Sequence, residues 1–527
     1  MADVRNGRVV AVMPRQQLQA RIEDLTNTQL IPISTRICTV KSEMNLFSPV
    51  SRLPRDIIFE VLWELSSIFW YDVLEEGTSD TDILYTATQY CYHFPWIAAT
   101  QVCHFWREIA LTEPRLWCHF KMSIHSRAEL VQEVFRRSMN LPLCIVIYDS
   151  PQEGSYDSDT MQLVLQNLHR VSDLEVPNGL LRLCPEFMCR PFPNLENLLL
   201  KSHPERQYSD SYSGSPCLFK NSDFPKLQGT MICDIPLLDA TALFQESLLR
   251  IGIVQSAIIP TNAFYPQLLQ CLALSKNLQE LIISDSTSES RDPIIWAELQ
   301  QVSLPRLQEF RFCVNSPIAL QILDFIRFPP GVDFYLRLCE PVWVSRTAVE
   351  TFVRAVSSFL ARTDRGSFRE IKLLQSTESS KRNIYMEGDD DFAVETNLTG
   401  ISAEHVIGRL LDSLPTSDVT NLTLYHFQCS GAIALGRALL PLKKVQSVCA
   451  YGTLGPLLVQ VLAESCRWKH DVLFPELKTL CLLKVESEIL PAHGTIATAF
   501  PSWLRIRSNA GFEIDDLEIN GEHREWT

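Results

Sequence analysis

The sequence has no Lys/Arg-rich run, and its 47 Lys and Arg are outnumbered by 62 Asp and Glu, which gives a net charge of −15. Nucleic acids and anionic membranes bind basic surfaces, so this balance disfavours both as partners. No apolar stretch approaches the roughly 18 residues that a membrane span needs, and residues 1–20 contain no signal-peptide core. We therefore expect an intracellular globular protein, in the cytoplasm or the nucleus.

The familiar catalytic motifs are also missing. The chain has no phosphate-binding Gly-x-x-x-x-Gly-Lys-Ser/Thr loop, no dinucleotide fingerprint, no His-Glu-x-x-His pair and no Gly-x-Ser-x-Gly elbow. Its 19 glycines are few for 527 residues. These absences predict a protein that is not an enzyme, with no catalytic residue and no cofactor.

Sixteen cysteines are present, but they are scattered through apolar segments. Without a secretory signal, they are expected to be reduced and to pack as small hydrophobic side chains. One group, Cys91, His93, Cys103 and His104, is close enough in sequence to suggest zinc. Its spacing matches neither usual zinc knuckle, and adjacent residues on one helix point in different directions. We therefore predict no metal site, with Cys103 as a packed residue.

What the chain does have is a short helical segment with an excess of apolar surface. Pro54 suits the first turn of a helix, and an apolar stripe follows it at Ile57, Ile58, Val61, Leu62 and Leu65. A second helix carries Val102, Phe105, Trp106 and Ile109, and Pro114 ends it before Leu116 and Trp117. Two or three short helices cannot bury all of these side chains among themselves. The helices therefore either pack on the rest of the chain or bind a partner.

These residues, in this order, resemble an F-box, and the fungal F-box/leucine-rich-repeat type in particular. The resemblance implies docking on a Skp-type adaptor and, through it, on a cullin–RING ligase. The expected docking residues are Leu53, Pro54, Ile57, Ile58, Val61, Val102, Leu116 and Trp117. Trp106 and Ile109 belong either to this surface or to the module's own core. This chain departs from the pattern by an acidic, polar insertion over residues 70–96.

After Trp117 a loose motif, apolar-x-x-apolar-x-apolar, recurs and is often introduced by Phe-Pro or Leu-Pro. Clear copies begin at Val171, Leu195, Leu248, Leu278, Leu307, Phe368, Val419, Leu477 and Ile514, and weaker ones near Leu227, Asp333 and Val445. The average spacing is roughly 31 residues, varying between about 21 and 50, which exceeds the usual leucine-rich period of about 20–29. Predicted helices lie between copies over residues 265–275, 317–328, 348–361, 403–414 and 454–466.

Strand and helix in alternation predict a right-handed βα solenoid with a parallel sheet. It resembles the irregular leucine-rich repeats that commonly follow an F-box; the alternative is an unrelated α/β domain with Leu-rich strands. Residues that alternate with the buried ones should face outward, and this set leans acidic, which indicates a client protein with a basic patch unless the face is merely solvated. The set is Asp173, Glu175, Asn197, Glu280, Glu309, Arg311, Glu370, Lys372, Asn421, Thr423, Tyr425, Thr479, Asp516 and Glu518.

The predicted fold class is α/β: a short all-helical F-box-like module followed by an irregular leucine-rich-repeat solenoid with parallel strands. The expected domains are an N-terminal extension with a possible helix (1–47), the F-box-like module (48–120) and the solenoid (121–527). The expected function is the substrate-recognition adaptor of an SCF-type (cullin–RING) E3 ubiquitin ligase, with the repeats binding a client of unknown identity. The alternative is an F-box-like or repeat scaffold that acts outside ubiquitin ligation.

Overall fold

The computed structural model divides the chain into two compact units, residues 1–195 and 196–527. The structure describes residues 3–5, 8–10, 16–20, 39–41, 43–44, 49, 53–75, 95–101, 103–123, 125–148, 158–177, 180–181, 184–201, 219, 223–255, 261–285, 299–315, 317–338, 346–363, 368–376, 383–388, 392–397, 402–425, 429–466, 472–484, 496–520 and 522–523.

Unit 1 contains a group of helices and a short parallel sheet. Its helices are α1 (Arg55–Glu75), α2 (His104–Thr112), α3 (Ala128–Arg137) and α4 (Ser158–Asn167). Its strands are β1 (Asp3–Arg5), β2 (Arg8–Val10), β3 (His119–Ser123), β4 (Leu143–Tyr148) and β5 (Val171–Pro177). Short 3-10 helices span Pro95–Gln101, Pro114–Trp117, Leu168–Arg170 and Pro185–Cys189.

The parallel sheet of unit 1 consists of β3, β4 and β5, and β1 and β2 pair antiparallel in a separate two-stranded sheet. Phe120, Ile145 and Leu174 are register partners and are buried, which gives this sheet an apolar inner face. The sequence predicts a helix over residues 128–139 and a buried strand over residues 143–148; α3 ends two residues earlier, at Arg137, and β4 has the predicted bounds. The parallel sheet begins at His119, before the predicted domain boundary at residue 120; that boundary stays a prediction.

Unit 2 contains most of the repeated strands. They are β6 (Asn197–Lys201), β7 (Gly229–Cys233), β8 (Arg250–Gln255), β9 (Glu280–Asp285), β10 (Val302–Ser303), β11 (Glu309–Val314), β12 (Ile326–Arg327), β13 (Asp333–Leu338), β14 (Glu370–Ser376), β15 (Asn383–Gly388), β16 (Phe392–Asn397), β17 (Asn421–Tyr425), β18 (Ser447–Tyr451), β19 (Thr479–Leu483), β20 (Asp516–Ile519) and β21 (Glu522–His523). Its helices are α5 (Thr261–Leu272), α6 (Arg346–Arg362), α7 (Ala403–Ser413), α8 (Ala432–Leu439), α9 (Leu454–Ser465) and α10 (Ile496–Asn509). Further 3-10 helices span Thr241–Leu243 and Pro317–Phe325.

The main sheet of unit 2 is parallel over long runs. Strands β6, β7, β8, β9, β11 and β13 pair in that order, and β14, β17, β18, β19 and β20 form a second parallel run. Equivalent motif residues pair without a shift, as Leu281, Phe310 and Phe334 do. Repeated units with short links and parallel register are typical of a leucine-rich-repeat solenoid. The chain is thus mixed α/β with a long parallel sheet.

The Phe-Pro and Leu-Pro pairs that introduce the motif have a structural role. In the copies at Leu195, Leu307 and Leu477, the motif's first N–H donates to the carbonyl three residues earlier, on Phe192, Leu304 and Phe474. The proline follows that acceptor residue, where its fixed φ suits a turn and its missing N–H costs no hydrogen bond. Each of these turns therefore fixes the direction in which the chain begins the strand that follows.

An antiparallel hairpin interrupts the parallel order. Strand β16 pairs with β13, β15 pairs with β16 and β14, and the parallel order resumes from β14 to β17. Gly388 has a specific role here, because a Cβ at this position would lie 2.6 Å from the ring of Phe368. The polar composition of residues 375–399 predicts a loop, and that prediction is wrong over β15 and β16. The alternating apolar residues of these two strands are few, and the three consecutive aspartates between them favour a loop prediction.

The helices of unit 2 from α6 to α10 contact one another in chain order. Gly408 allows α7 to approach α8 closely, since a Cβ there would lie 3.3 Å from the Cα of Ala438. The predicted helices correspond to α5, the 3-10 helix of residues 317–325, α6, α7 and α9. Helices α8 and α10 were not anticipated.

Candidate functional site

The helical module of unit 1 has a hydrophobic core, and one face of α1 packs in it. Ile58, Phe59 and Leu62 are buried, and the N–H of Ile58 donates to the carbonyl of Pro54 at 3.2 Å, which marks the helix start. Arg55 ties this start to the end of α2 through a 2.8 Å hydrogen bond to the Thr112 hydroxyl. Ile58, a predicted docking residue, therefore lies in the core.

Leu116 and Trp117 are core residues as well. Leu116 is fully buried, and the indole N–H of Trp117 donates to the carbonyl of Ala110 at 2.8 Å. The ring of Trp117 meets that of Trp96 edge to face, with centroids 5.1 Å apart. Aromatic pairs in this arrangement stabilise beyond their burial. These predicted docking side chains thus hold the module together.

The remaining predicted docking residues lie at the surface. Ile57 is 48% exposed and Val61 is 38% exposed; they are four residues apart, so they share one face of α1. Pro54 is exposed and Leu53 is half-buried at the same end of the helix. We call Leu53, Pro54, Ile57 and Val61 the apolar stripe. Val102 lies outside the described residues.

The boundary between core and surface is clear on α2. Trp106 and Ile109 are buried, so they belong to the core rather than to the stripe. On the adjoining 3-10 helix, the guanidinium of Arg115 lies 3.8 Å above the ring of Phe59 and forms a 2.9 Å ion pair with Glu113. This cation covers an edge of the core that would otherwise face water.

The cysteines and histidines considered above for zinc, and rejected on their spacing, are not brought together where they are described. Cys103 is buried and its neighbour His104 is exposed, so the two side chains point apart. Cys91 and His93 lie outside the described residues. Within the described part of the chain, no three His, Cys, Asp or Glu side chains form a group that could hold a metal ion.

The outward positions of the unit 2 sheet form a second candidate surface. Almost every predicted outward residue is half-buried between its neighbours on adjacent strands, and Asn421 is exposed. Rows of such residues run across the strands at spacings of about 4.8 Å. Two parts of this surface differ in charge and are described separately below.

We call the outward residues of β6–β9, β11 and β13 the mixed-charge face. Its charged members are Lys201, Arg250, Glu280, Glu309, Arg311, Asp333 and Arg337. Arg311 forms an ion pair with Glu309, and Arg337 reaches Glu395 on β16 at 3.3 Å. Burial, followed by the charge of Glu309, raises the pKa of Glu280. Charges of both signs therefore largely satisfy one another on this face.

Gly229 has a local purpose on the mixed-charge face. The guanidinium of Arg250 on β8 reaches across β7, the strand that contains Gly229, and donates to Asn197 Oδ1 on β6 at 3.0 Å. A Cβ on Gly229 would lie 2.5 Å from that same oxygen. The missing side chain thus leaves room for a hydrogen bond between strands that are not neighbours.

We call the outward residues of β14 and β17–β20 the tyrosine face. Its members are Glu370, Lys372, Leu374, Asn421, Thr423, Tyr425, Ser447, Cys449, Tyr451, Thr479, Cys481, Leu483, Asp516 and Glu518. Tyr425 and Tyr451 stack with ring centroids 4.4 Å apart and planes 24° apart. Burial, then a hydrogen bond with Tyr425, raises the pKa of Tyr451 to about 12.

A groove of about 440 Å³ lies between α6 and α7. The hydroxyl of Ser357 donates to the carbonyl of Ser413 at 3.1 Å, and the hydroxyl of Ser358 donates to Asp324 at 3.1 Å. The lining polar groups thus bind neighbouring parts of unit 2. Such a seam between adjacent repeats is not the convergent polar arrangement expected of a ligand site.

Comparisons with known proteins add little to this geometry. No family model matches the chain, and no curated protein matches it. Among solved structures, the chain is similar to the leucine-rich repeat-containing protein LegL7 from Legionella pneumophila, at 14% identity and a TM-score of 0.21. The match covers 59% of this chain and 98% of LegL7. A similarity this low carries no argument, so the fold assignment depends on strand register and burial.

Over the described residues, every helix is too short or too polar to cross a bilayer. The apolar stripe belongs to a helix whose other side is packed in the core of the helical module.

Proposed function

We propose that this chain is the substrate-recognition adaptor of an SCF-type (cullin–RING) E3 ubiquitin ligase. The F-box-like helices of unit 1 dock on a Skp-type adaptor, and the sheet of unit 2 holds a client protein. The chain acts inside the cell, in the cytoplasm or the nucleus, and performs no chemistry itself. It raises the effective concentration of the client near a ubiquitin-charged enzyme.

The observation that carries this proposal is the apolar stripe. Ile57 and Val61 remain 48% and 38% exposed although Ile58 and Leu62, on the same helix, are completely buried. Exposure of an Ile or Val side chain to water is unfavourable. Covering it with a partner lowers the free energy by about 25 cal/mol per Å² of apolar area buried. The four stripe residues are all among the eight for which the resemblance predicts adaptor contact.

A binding measurement with purified proteins tests the proposal. The full chain is titrated with a Skp-type adaptor by calorimetry, as wild type and as an Ile57→Asp/Val61→Asp variant. We expect the wild type to bind and the variant to lose at least about tenfold in affinity, because each substitution places a charge in an apolar interface. Leu130→Asp, at a residue of α3 that is 41% exposed, is the matched control and should bind normally.

Two results would count against adaptor docking. One is no detectable binding by a folded wild-type chain. The other is equal binding by the wild type and the Ile57→Asp/Val61→Asp variant. Circular dichroism of each protein establishes that it is folded, and the exposure of both positions makes loss of the fold an unexpected outcome.

A specific observation favours a second candidate function, a scaffold acting outside ubiquitin ligation. Ile58, Leu116 and Trp117 are core residues, so the stripe offers fewer contacts than the eight that the resemblance predicts. A smaller stripe suits a different partner or a weaker complex. Proximity labelling in cells, with and without the stripe substitutions, distinguishes the two: cullin and Skp-type neighbours that depend on the stripe support the ligase, and their absence supports the scaffold.

A further inference from the structure

Two cysteines lie side by side on the tyrosine face. Cys449 on β18 and Cys481 on β19 are register partners, so their Cα atoms are about 4.8 Å apart. Among the described strands, no other two cysteines are register partners. The cysteines in the described part of the chain are all free thiols. This pair therefore differs from the scattered cysteines elsewhere in the sequence.

Both thiols of the pair point to the outward side of the sheet. The chain neighbours of each cysteine are buried, and side chains alternate along a strand, so the cysteines themselves face outward. Each cysteine is half-buried, so neither is enclosed in the core. Burial, then a hydrogen bond with Cys449, raises the pKa of Cys481 to about 12. The hydrogen bond means that the two sulfur atoms are in contact.

The spacing of the pair is close to that of a disulfide. Cysteines that are joined by a disulfide have Cα atoms roughly 4.4–6.8 Å apart and Cβ atoms about 3.8 Å apart. At paired positions of parallel strands the side chains point the same way, so the Cβ separation is similar to the Cα separation. A sulfur–sulfur bond is therefore within reach, but the two Cβ atoms must move closer by about 1 Å.

We propose that Cys449 and Cys481 form a reversible disulfide by exchange with a small-molecule disulfide, of which oxidised glutathione is the test compound. In the first step, the thiolate of one cysteine attacks a sulfur of oxidised glutathione, its S–S bond breaks, and one glutathione thiolate leaves. In the second step, the other cysteine loses its proton and attacks the mixed disulfide, which releases the second glutathione. Two cysteine thiols are thereby oxidised, and one oxidised glutathione is reduced to two thiols.

Strain makes this disulfide easy to reduce. A disulfide that departs from its preferred geometry stores strain, and strained disulfides have higher reduction potentials than structural ones. In reducing compartments, such as the one proposed above for this chain, disulfides are usually transient. We therefore expect the two thiols at rest, and the disulfide only when the small-molecule disulfide accumulates.

The raised pKa of Cys481 slows the exchange. Few Cys481 side chains are thiolates at neutral pH, and the thiolate is the attacking species. The second step is intramolecular, because the sheet holds the two sulfur atoms in contact, and it gains a high effective concentration. The mixed disulfide should therefore not accumulate. The exchange should become faster as the pH rises towards the pKa of Cys481.

The disulfide would change the surface around it. A hydrogen bond with Cys449 is among the causes that raise the pKa of Tyr451, so the cysteine pair adjoins the stacked tyrosines. Oxidation removes both S–H donors and joins β18 to β19 covalently. The exchange itself does not depend on the proposed function, because it involves no partner protein.

The test incubates the folded full chain with mixtures of reduced and oxidised glutathione at mildly alkaline pH. After an acid quench, the remaining thiols are alkylated and the peptides are analysed by mass spectrometry. We expect the peptides of Cys449 and Cys481 to be joined with the loss of two hydrogens, and to separate again in excess reduced glutathione. Cys449→Ser and Cys481→Ser should each abolish the joined species. Cys189→Ser, at an exposed cysteine, is the matched control and should leave its yield unchanged.

Three outcomes would overturn the inference. The first is no joined species in the folded wild type under conditions in which Cys189 has become a mixed disulfide with glutathione. The second is joining that occurs only in urea, and the third is glutathione on both cysteines of the pair without joining. Circular dichroism establishes that each variant is folded, and one folded serine variant is enough. Adaptor binding through the apolar stripe is measured separately, so either proposal can fail while the other holds.

Discussion

The helical module and the repeat sheet use their apolar residues in different ways. On the repeated strands of both units, the hydrophobic residues of the motif are buried from β5 through β19, and only Ile514 and Ile519 of the last copy are half-buried. In the module, the motif residues are divided between core and surface. Side chains alternate strictly along a strand, so the repeat buries one whole face of the sheet. A pair of helices has too little volume to bury all of its apolar side chains.

This difference teaches where to look for function. On the sheet, the motif residues build the fold, so binding residues are expected at the alternate, outward positions. On the module, a motif residue such as Ile57 is itself a candidate for binding. The predictions below therefore compare residues inside and outside the two motifs.

The largest effect is expected at Trp117. Trp117→Ala removes a buried indole, its edge-to-face contact with Trp96 and its hydrogen bond to Ala110. We expect it to lower the free energy of unfolding of unit 1 by about 3–5 kcal/mol, since large buried aromatics leave cavities that do not refill. Urea unfolding followed by circular dichroism measures this change.

Ile57→Ala is the comparison for that experiment. Ile57 is a motif residue too, but it is 48% exposed, and we expect a change within about 0.5 kcal/mol. Similar destabilisation by the two substitutions would mean that the module does not divide its motif between core and surface.

A similar contrast holds within one strand of the sheet. Leu480 is fully buried on β19, and its neighbour Thr479 faces outward. Leu480→Ala should lower the free energy of unfolding of unit 2 by about 2–4 kcal/mol, and Thr479→Ala by less than about 0.5 kcal/mol. Urea titrations of the two variants measure the difference, and equal costs would contradict the assignment of inner and outer faces.

Much of the sheet could be predicted from the sequence. The motif copies beginning at Leu195, Leu278 and Leu477 all precede strands, and so do the weaker ones near Leu227 and Val445. The reason is physical, because burial of one face forces a periodicity of two on each strand. Even the outward residues followed from this alternation.

Other features could not be predicted, because they depend on contacts distant in sequence. Whether Ile57 or Ile58 faces the core is decided by how α1 lies against α2, which local periodicity leaves open. The stacking partner of Tyr425 is fixed by strand register, and Tyr451 was missed because it directly follows a weak motif copy. Candidate docking residues in the module can therefore be named from the sequence, but the sequence does not show which of them are buried and which are exposed.

Arg507 extends the comparison to a charged residue inside the repeat. It is 1% exposed on α10, and its guanidinium donates to the backbone carbonyls of Leu473 and Phe474, at 3.0 Å for the first. These carbonyls belong to the turn that introduces β19. Burial lowers the pKa of Arg507. Arg507 thus stabilises the turn before β19 through hydrogen bonds, whereas the motif residues stabilise the repeat through apolar burial.

Arg507→Met should lower the free energy of unfolding of unit 2 by about 1–3 kcal/mol, because it leaves two buried carbonyls without these donors. Arg507→Lys, which can still donate to one of them, should cost less. Thermal unfolding of the two variants ranks them. A Met variant as stable as the wild type would show that the carbonyls find other donors.

The smallest effect concerns the chemistry of one side chain on the tyrosine face. Burial, then the neighbouring Cys449 and then Glu518, raises the pKa of Cys481 from 9.0 to about 12. The reactive thiolate fraction at pH 8 is then roughly a thousandfold below that of an ordinary cysteine. A more basic thiolate is more nucleophilic, which returns about a factor of twenty to thirty. We expect alkylation by iodoacetamide to be at least about tenfold slower in the folded chain than in urea.

Mass spectrometry of the peptide that contains Cys481 measures this rate, and the exposed Cys189 serves as an internal reference. The rate should increase with pH up to about 12, because the thiolate appears only as the raised pKa is approached. Glu518→Gln should speed the reaction modestly, since burial is the larger cause and persists. Equal rates in the folded and unfolded chain would mean that the outer positions of the tyrosine face are as accessible as those of a loop.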